Sequence, residues 1–96
     1  MAKKKESQIC IITVTGKDKV GIIAKISNAC ARSSINIVDV NQKIMAEYFV
    51  MMMACDIADS SVSIEDIQKR LGRIAKDMDL NITFQNETIF KMMHRV

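Results

Sequence analysis

Apolar positions fall along this chain in four short strand-like runs and two stretches of helical spacing, in the order strand, helix, strand, strand, helix, strand. Ile9 to Thr15 is β-branched, and both of its alternating sets, Ile9/Ile11/Thr13 and Cys10/Ile12/Val14, are largely apolar, the signature of a central strand. Ile22, Ile23, Ile26, Ala29 and Cys30 then share one face at helical spacing while Lys25, Asn28 and Arg32 fall elsewhere. Asp18 is placed to cap this helix, and Ser33-Ser34 ends it. From Ile35 to Ile44 the alternation is cleaner, with Val38 and Val40 on one face and Asp39, Asn41 and Lys43 on the other, which predicts a more exposed edge strand.

Met45-Ala46-Glu47 reads as a hairpin connection into Tyr48 to Ile57, which is apolar on both faces and so belongs in the middle of a sheet. Ser63 followed by Asp66 resembles a capping box, and Ile64, Ile67, Leu71, Ile74 and Met78 then recur at steps of three and four, with Gly72 tolerated inside. Asn81 to Asn86 gives a fourth strand with Ile82 and Phe84 inward. Thr88 to Arg95 gives a short helical tail able to lay Ile89, Phe90 and Met93 on the body. A weak internal repeat, Ile35-Asn36-Ile37 answered by Leu80-Asn81-Ile82, divides the chain into two strand-helix-strand units.

Two interleaved units of this kind make an α+β, ferredoxin-like βαββαβ sandwich: a four-stranded antiparallel sheet with two helices on one face, here with a short C-terminal helix added. The expected divisions are a flexible basic N-terminus over 1–7, the folded domain over 8–87 and the helical tail over 88–96. Both central strands carry apolar side chains on the face the helices leave open, so a second subunit or the tail is expected to cover it.

With 96 residues there is room for a single small core, and with no Trp, one Tyr and three Phe against eight Met that core must be aliphatic and sulfur-rich. The net charge of +3 comes from the tail: setting aside Lys3, Lys4 and Lys5 leaves eleven basic residues against eleven acidic, interspersed along the chain. That balance argues against a nucleic-acid reader. Cys10, Cys30 and Cys55 lie in apolar runs without metal or redox spacing and read as buried hydrophobes. Neither a signal peptide nor an apolar stretch near the roughly 20 residues of a membrane span is visible. A cytoplasmic protein with no membrane association follows as an expectation.

Catalytic constellations are missing. The Gly16–Gly21 loop lacks the arginine that acylphosphatase chemistry needs and the cysteine pair of a metal carrier, and the central strands lack the stacking aromatics of an RNA reader. His94, the single histidine, sits near the C-terminus; Asp18 and Asp39 have structural explanations as a cap and an edge-strand residue. No enzyme activity, cofactor or metal is expected. The strand-to-helix turn itself points toward binding, because glycine lets a ligand approach the backbone and a helix N-terminus offers N–H groups to a carboxylate.

Gly16-Lys17-Asp18-Lys19-Val20-Gly21-Ile22, Asn36-Ile37-Val38-Asp39-Val40-Asn41-Gln42 and Glu47-Tyr48-Phe49-Val50-Met51-Met52, in this element order, resemble the ACT domain, specifically a family of stand-alone ACT proteins of bacteria and archaea. The resemblance runs from about Ile9 to Asn86. It implies a regulatory module that pairs side by side into an eight-stranded sheet and binds an amino acid between one chain's first loop and the other's second strand. Asp18 matches the loop position that contacts the ligand amine, Gly21 the glycine opening the helix, and Asn36 the strand residue that reaches across; Val20, Ile22, Ile37 and Asp39 complete the expected ligand-binding set. Gly16 departs from members that carry a polar residue there. The implied partners are a small-molecule ligand, a second copy in a homodimer or tetramer, and a client protein regulated in trans. The alternative is a structural or interaction protein of the same fold that takes no ligand.

Overall fold

A computed structural model describes residues 6–93 of the chain. The expectations for the lysine tail, for His94 and for the side chain of Met93 lie outside the described residues. The elements are β1 (Ile9–Lys17), α1 (Ile22–Arg32), β2 (Asn36–Met45), β3 (Tyr48–Asp56), α2 (Ile64–Met78), β4 (Leu80–Asn86) and α3 (Glu87–Met93). The strands form one antiparallel sheet in the order β2-β3-β1-β4, so β1 and β3 are central and β2 is an edge, as the apolar alternation requires.

One face of the sheet meets α1 and α2 and holds the core. Cys10, Ile12 and Val14 of β1 and Phe49, Met51, Met53 and Cys55 of β3 pack there against Ile22, Ile26 and Cys30 of α1 and Ile67 and Leu71 of α2. The methionine run therefore splits by strand parity: Met51 is 1% exposed in the core, while Met52, on the other face, is 40% exposed. Cys10 and Cys55 are register partners, all three cysteines are free thiols, and the Cys55 thiol donates a hydrogen bond to the Cys30 sulfur. That bond and burial push the Cys55 thiol up from its ordinary value, and burial alone does so for Cys10, so both stay protonated packing groups.

On the opposite face, Ile11 is only 9% exposed although it lies outside the core cluster. The short helix α3 packs against β1 and β4, while Val50 and Met52 of β3, opposite in parity to the core residues, stay exposed. Phe90 of α3 is half-buried, whereas Ile89 faces solvent and does not join the body as the sequence suggested. The start of α3 is fixed by Asn86, whose Oδ1 accepts from the Ile89 N–H at 2.8 Å.

Several boundaries and faces differ from the sequence pattern. β1 runs two residues past Thr15, because Gly16 and Lys17 pair with Phe49 and Tyr48. β2 begins at Asn36, with Ile35 buried in the core just before it, and extends through Met45, leaving only Ala46 and Glu47 as the hairpin turn. A bulge between Ile37 and Asp39 makes Val38 an extra residue in the β2–β3 ladder. Val38 and Val40 thus do not share a continuous strand face: Val40 pairs with Met53 on the helix side, while Asp39, Asn41 and Lys43 pair with Ala54, Met52 and Val50 on the other. Ile23 and Ile64, placed on buried helix faces by spacing, are exposed at the first turns of α1 and α2.

Helix α2 starts as expected, with the Ser63 hydroxyl accepting from the Asp66 N–H at 3.2 Å. Ser33 closes α1; its backbone N–H donates to Ala29 and Cys30 carbonyls, and Ser34 follows in the left-handed region.

Candidate functional site

The Gly16–Ile22 segment carries the chain from β1 over the top of the sheet into α1. Gly16 sits in the strand opposite Leu80 and Phe49. A Cβ there would stand 2.7 Å from Leu80 Cδ2 and 3.4 Å from the Asp79 carbonyl oxygen. Packing against β4 leaves little room for a side chain at this position. Beyond it, the Asp18 N–H donates to the Glu47 carbonyl at 2.8 Å, tying the loop to the β2–β3 hairpin. The Lys19 ammonium donates to the Met78 carbonyl, a cation at the C-terminal end of α2.

Asp18 is not the cap of α1. That position belongs to Gly21, three residues later, at φ 93°, in the left-handed region that glycine enters without a Cβ penalty. Its carbonyl accepts from the Lys25 N–H at 3.0 Å. No side chain caps the helix and no acidic residue lies in its first turn, so the N–H groups at its start have no local anion to answer. Asp18 is left exposed with a carboxylate free of its predicted structural duty, and Val20 beside it is 98% exposed. Ile22 is a core residue. A shallow depression beside the helix start is lined by Val20, Gly21, Ala24, Lys25, Asn28 and Met78.

Asn36, Ile37 and Asp39 lie elsewhere. Asn36 pairs with Asp56, which pairs with Ile9, at the opposite end of the sheet from Lys17 and Tyr48. Eight residues of strand separate the two ends, about 26 Å at the usual rise. Ile37 is half-buried against the core opposite Cys55. Asp39 is exposed, its Oδ1 accepting from the Val40 N–H at 2.9 Å beside the bulge. Within one chain, then, the two motifs are not halves of a single pocket: Asp18, Val20, Gly21 and Ile22 cluster at one end, Asn36, Ile37 and Asp39 toward the other.

Among the described residues, no group of three or more His, Cys, Asp or Glu side chains is arranged to hold a metal. No helix among them is long and apolar enough to cross a membrane.

A side-chain set that spacing along the chain did not show lies between the helices: Lys25 and Arg32 of α1 face Arg70 and Arg73 of α2 across a groove. The two pairs are far apart in the sequence and are brought together only by helix packing.

Comparison with known proteins places the fold. A UPF0237 protein of Clostridium acetobutylicum is 48% identical over 86 residues, covering 90% of this chain and 97% of the relative. One of Methanococcus maripaludis is 40% identical over the same length, covering 90% and 96%. Among solved structures, an ACT domain protein from Streptococcus pneumoniae matches with a TM-score of 0.75 at 31% identity, covering 90% of this chain and 97% of that one. The regulatory subunit of aspartate kinase from Thermus thermophilus shares the fold with a TM-score of 0.64 at 16% identity, over 86% of this chain and 57% of its own. A family model described as the ACT domain matches residues 8–85, from the residue before β1 almost to the end of β4. On the strength of that match and of relatives aligned nearly end to end in bacteria and archaea, the chain belongs to the ACT domain family, in its stand-alone UPF0237 branch.

Proposed function

We propose that this protein is a homodimeric regulatory module that binds an amino acid between two copies and acts in trans on a partner protein. The observation that carries the reading is the separation of its two motifs. Each chain offers the Asp18 loop at one end of the sheet and Asn36 at the other, with β2 a free edge between β3 and solvent. A two-fold axis that pairs two β2 edges antiparallel sets the Asn36 end of one strand beside the Met45 end of its neighbour. Helix α1 packs over β2 in the same half of the molecule. The partner's β2 start then arrives next to the open N-terminus of α1 and the Asp18 loop.

An amino-acid zwitterion suits that junction. The Asp18 carboxylate takes the ammonium, the uncapped α1 N-terminus around Gly21 and Ile22 takes the carboxylate, and the side chain of Asn36 from the second copy closes over the ligand with Ile37 and Asp39 behind it. Val20, almost wholly exposed in the single chain, becomes a wall of the site. The occurrence of the same fold in a subunit described as the regulatory part of aspartate kinase supports a regulatory role over a catalytic one.

Thermal denaturation against the twenty amino acids tests the reading. Ligand at about 100 times its dissociation constant adds roughly 2.7 kcal/mol of stability, and the shift should vanish in Asp18→Ala and in Asn36→Ala. A flat panel from a protein that is dimeric by light scattering would instead favour an assembly module without a ligand.

A further inference from the structure

The groove between α1 and α2 is lined by Lys25, Arg32, Arg70 and Arg73 above a floor that includes Ala29 and Ile74, and no carboxylate lines it. Lys25 and Arg32 are two helical turns apart, which spreads their charges over about 10 Å of α1 on one side of the helix. Arg70 and Arg73 are one turn apart on the facing helix. Among the described residues none of the four is in an ion pair; the pairs present, Lys17 with Glu47 and Lys91 with Glu87, lie elsewhere. Four cations without an ion-pair partner along one groove repel one another and create a local positive field on a body that is neutral only when they are counted in.

Arg70 is held in place. Its Nη1 donates to the Ser33 hydroxyl at 2.8 Å, and Ser33 is 2% exposed at the end of α1. That bond fixes a planar group with five N–H donors at one end of the groove, so less side-chain freedom is lost when an anion arrives. The half-buried Ala29 and Ile74 between the cations give the same groove an apolar strip.

We propose that the α1–α2 groove is a docking surface for a partner protein, which engages it through an acidic segment with carboxylates spaced over about 10 Å and an apolar side chain between them. The spread of the cations is too great for one phosphate or carboxylate to span, and the apolar floor would be wasted on one. Nucleic acid fits less well. No aromatic side chain lines the groove for a base to stack on. Asp66 and Asp77 lie on α2 four residues to either side of the arginines and would meet a continuing phosphate backbone. An acidic segment ends where those aspartates begin. This surface is distinct from the Asn36 edge, and its use does not depend on a ligand at the Asp18 loop.

The test uses the full chain and a synthetic helical peptide bearing Glu at every third and fourth position with Leu between, followed by fluorescence anisotropy and by amide chemical shifts. The expected result is saturable binding that weakens as salt rises, with shifts centred on Ala29, Arg32, Arg70 and Arg73. Arg32→Glu with Arg73→Glu, both exposed positions, should weaken it by about tenfold or more while lowering the melting temperature no more than a control that also reverses a last-turn cation. Lys69→Glu with Lys76→Glu carries the same charge change on α2 outside the groove and should leave affinity within about twofold. Equal losses in the two double variants, or no binding at about 1 mM peptide, overturn the proposal. Tighter binding of an oligouridylate that is lost in the groove variant also overturns it and makes the groove a nucleic-acid surface. Inorganic phosphate reproducing all the peptide's shifts reduces it to a small-anion site.

Discussion

Asp18 and Asn36 stand at opposite ends of one sheet: Asp18 follows Lys17, the partner of Tyr48, whereas Asn36 is joined through Asp56 to Ile9. A site that uses both must draw them from different chains. Mixing Asp18→Ala dimers with Asn36→Ala dimers and allowing subunit exchange should therefore restore ligand-dependent stabilisation, since a heterodimer has one junction with both residues intact. Each parent alone should show none. A single-chain site would give no recovery on mixing.

Gly16 is a packing requirement. In Gly16→Ser the new Cβ meets Leu80 Cδ2, and Leu80 belongs to the core and starts β4. The expected cost is about 1–3 kcal/mol, the usual range for overpacking, read as a lower urea midpoint at an unchanged slope. Leu80→Ala in the same chain should make the two changes less than additive.

Strand parity makes Met51 and Met52 unequal neighbours. Met51→Ala should cost about 2–5 kcal/mol, as for a buried methionine truncated in a core. Met52→Ala should cost less than about 1 kcal/mol in the isolated chain. A dilution series reads whether Met52→Ala instead weakens self-association, which is the outcome expected if a second copy covers the open face.

The Asp56 carboxyl is held below its ordinary value because it accepts from the Gln8 N–H and then from the Ala58 N–H, each at 3.0 Å. A carboxyl with a depressed folded pKa contributes stability that is fully present above its unfolded value near 3.9 and is lost as pH falls through the lower folded value. Melting temperature should thus decline on acidification below about pH 4, and Asp56→Asn should flatten that decline. The link between Gln8 and the loop after β3 is the structure that loosens.

The fold was legible because period and parity survive in the chain: β1 and β3 are apolar on both faces, and Ile67 and Leu71 mark the buried side of α2. The family motifs were legible in the same way. What the pattern did not carry were features set by backbone geometry and three-dimensional proximity. Asp18 and Gly21 both satisfy a capping preference, and a positive φ decided for glycine. The bulge at Val38 adds a residue to β2 without altering the polarity of its neighbours. The basic groove is invisible along the sequence because Arg70 and Arg73 are separated from Lys25 and Arg32 by two strands. The distance between Asp18 and Asn36 follows from a single helical crossover, which always returns the chain to the far end of a sheet.

The bulge at Val38 also limits what the edge of this sheet can recruit. A strand laid along β2 finds a regular run of backbone donors and acceptors only from Asp39 to Met45, about 23 Å, before the phase is broken. Beyond that notch the hydrogen-bonding groups of the edge no longer match a straight neighbour, in every copy and at the same place. Accretion of chain upon chain into an open-ended ribbon is thereby frustrated, while one defined neighbour of matching length is still accommodated.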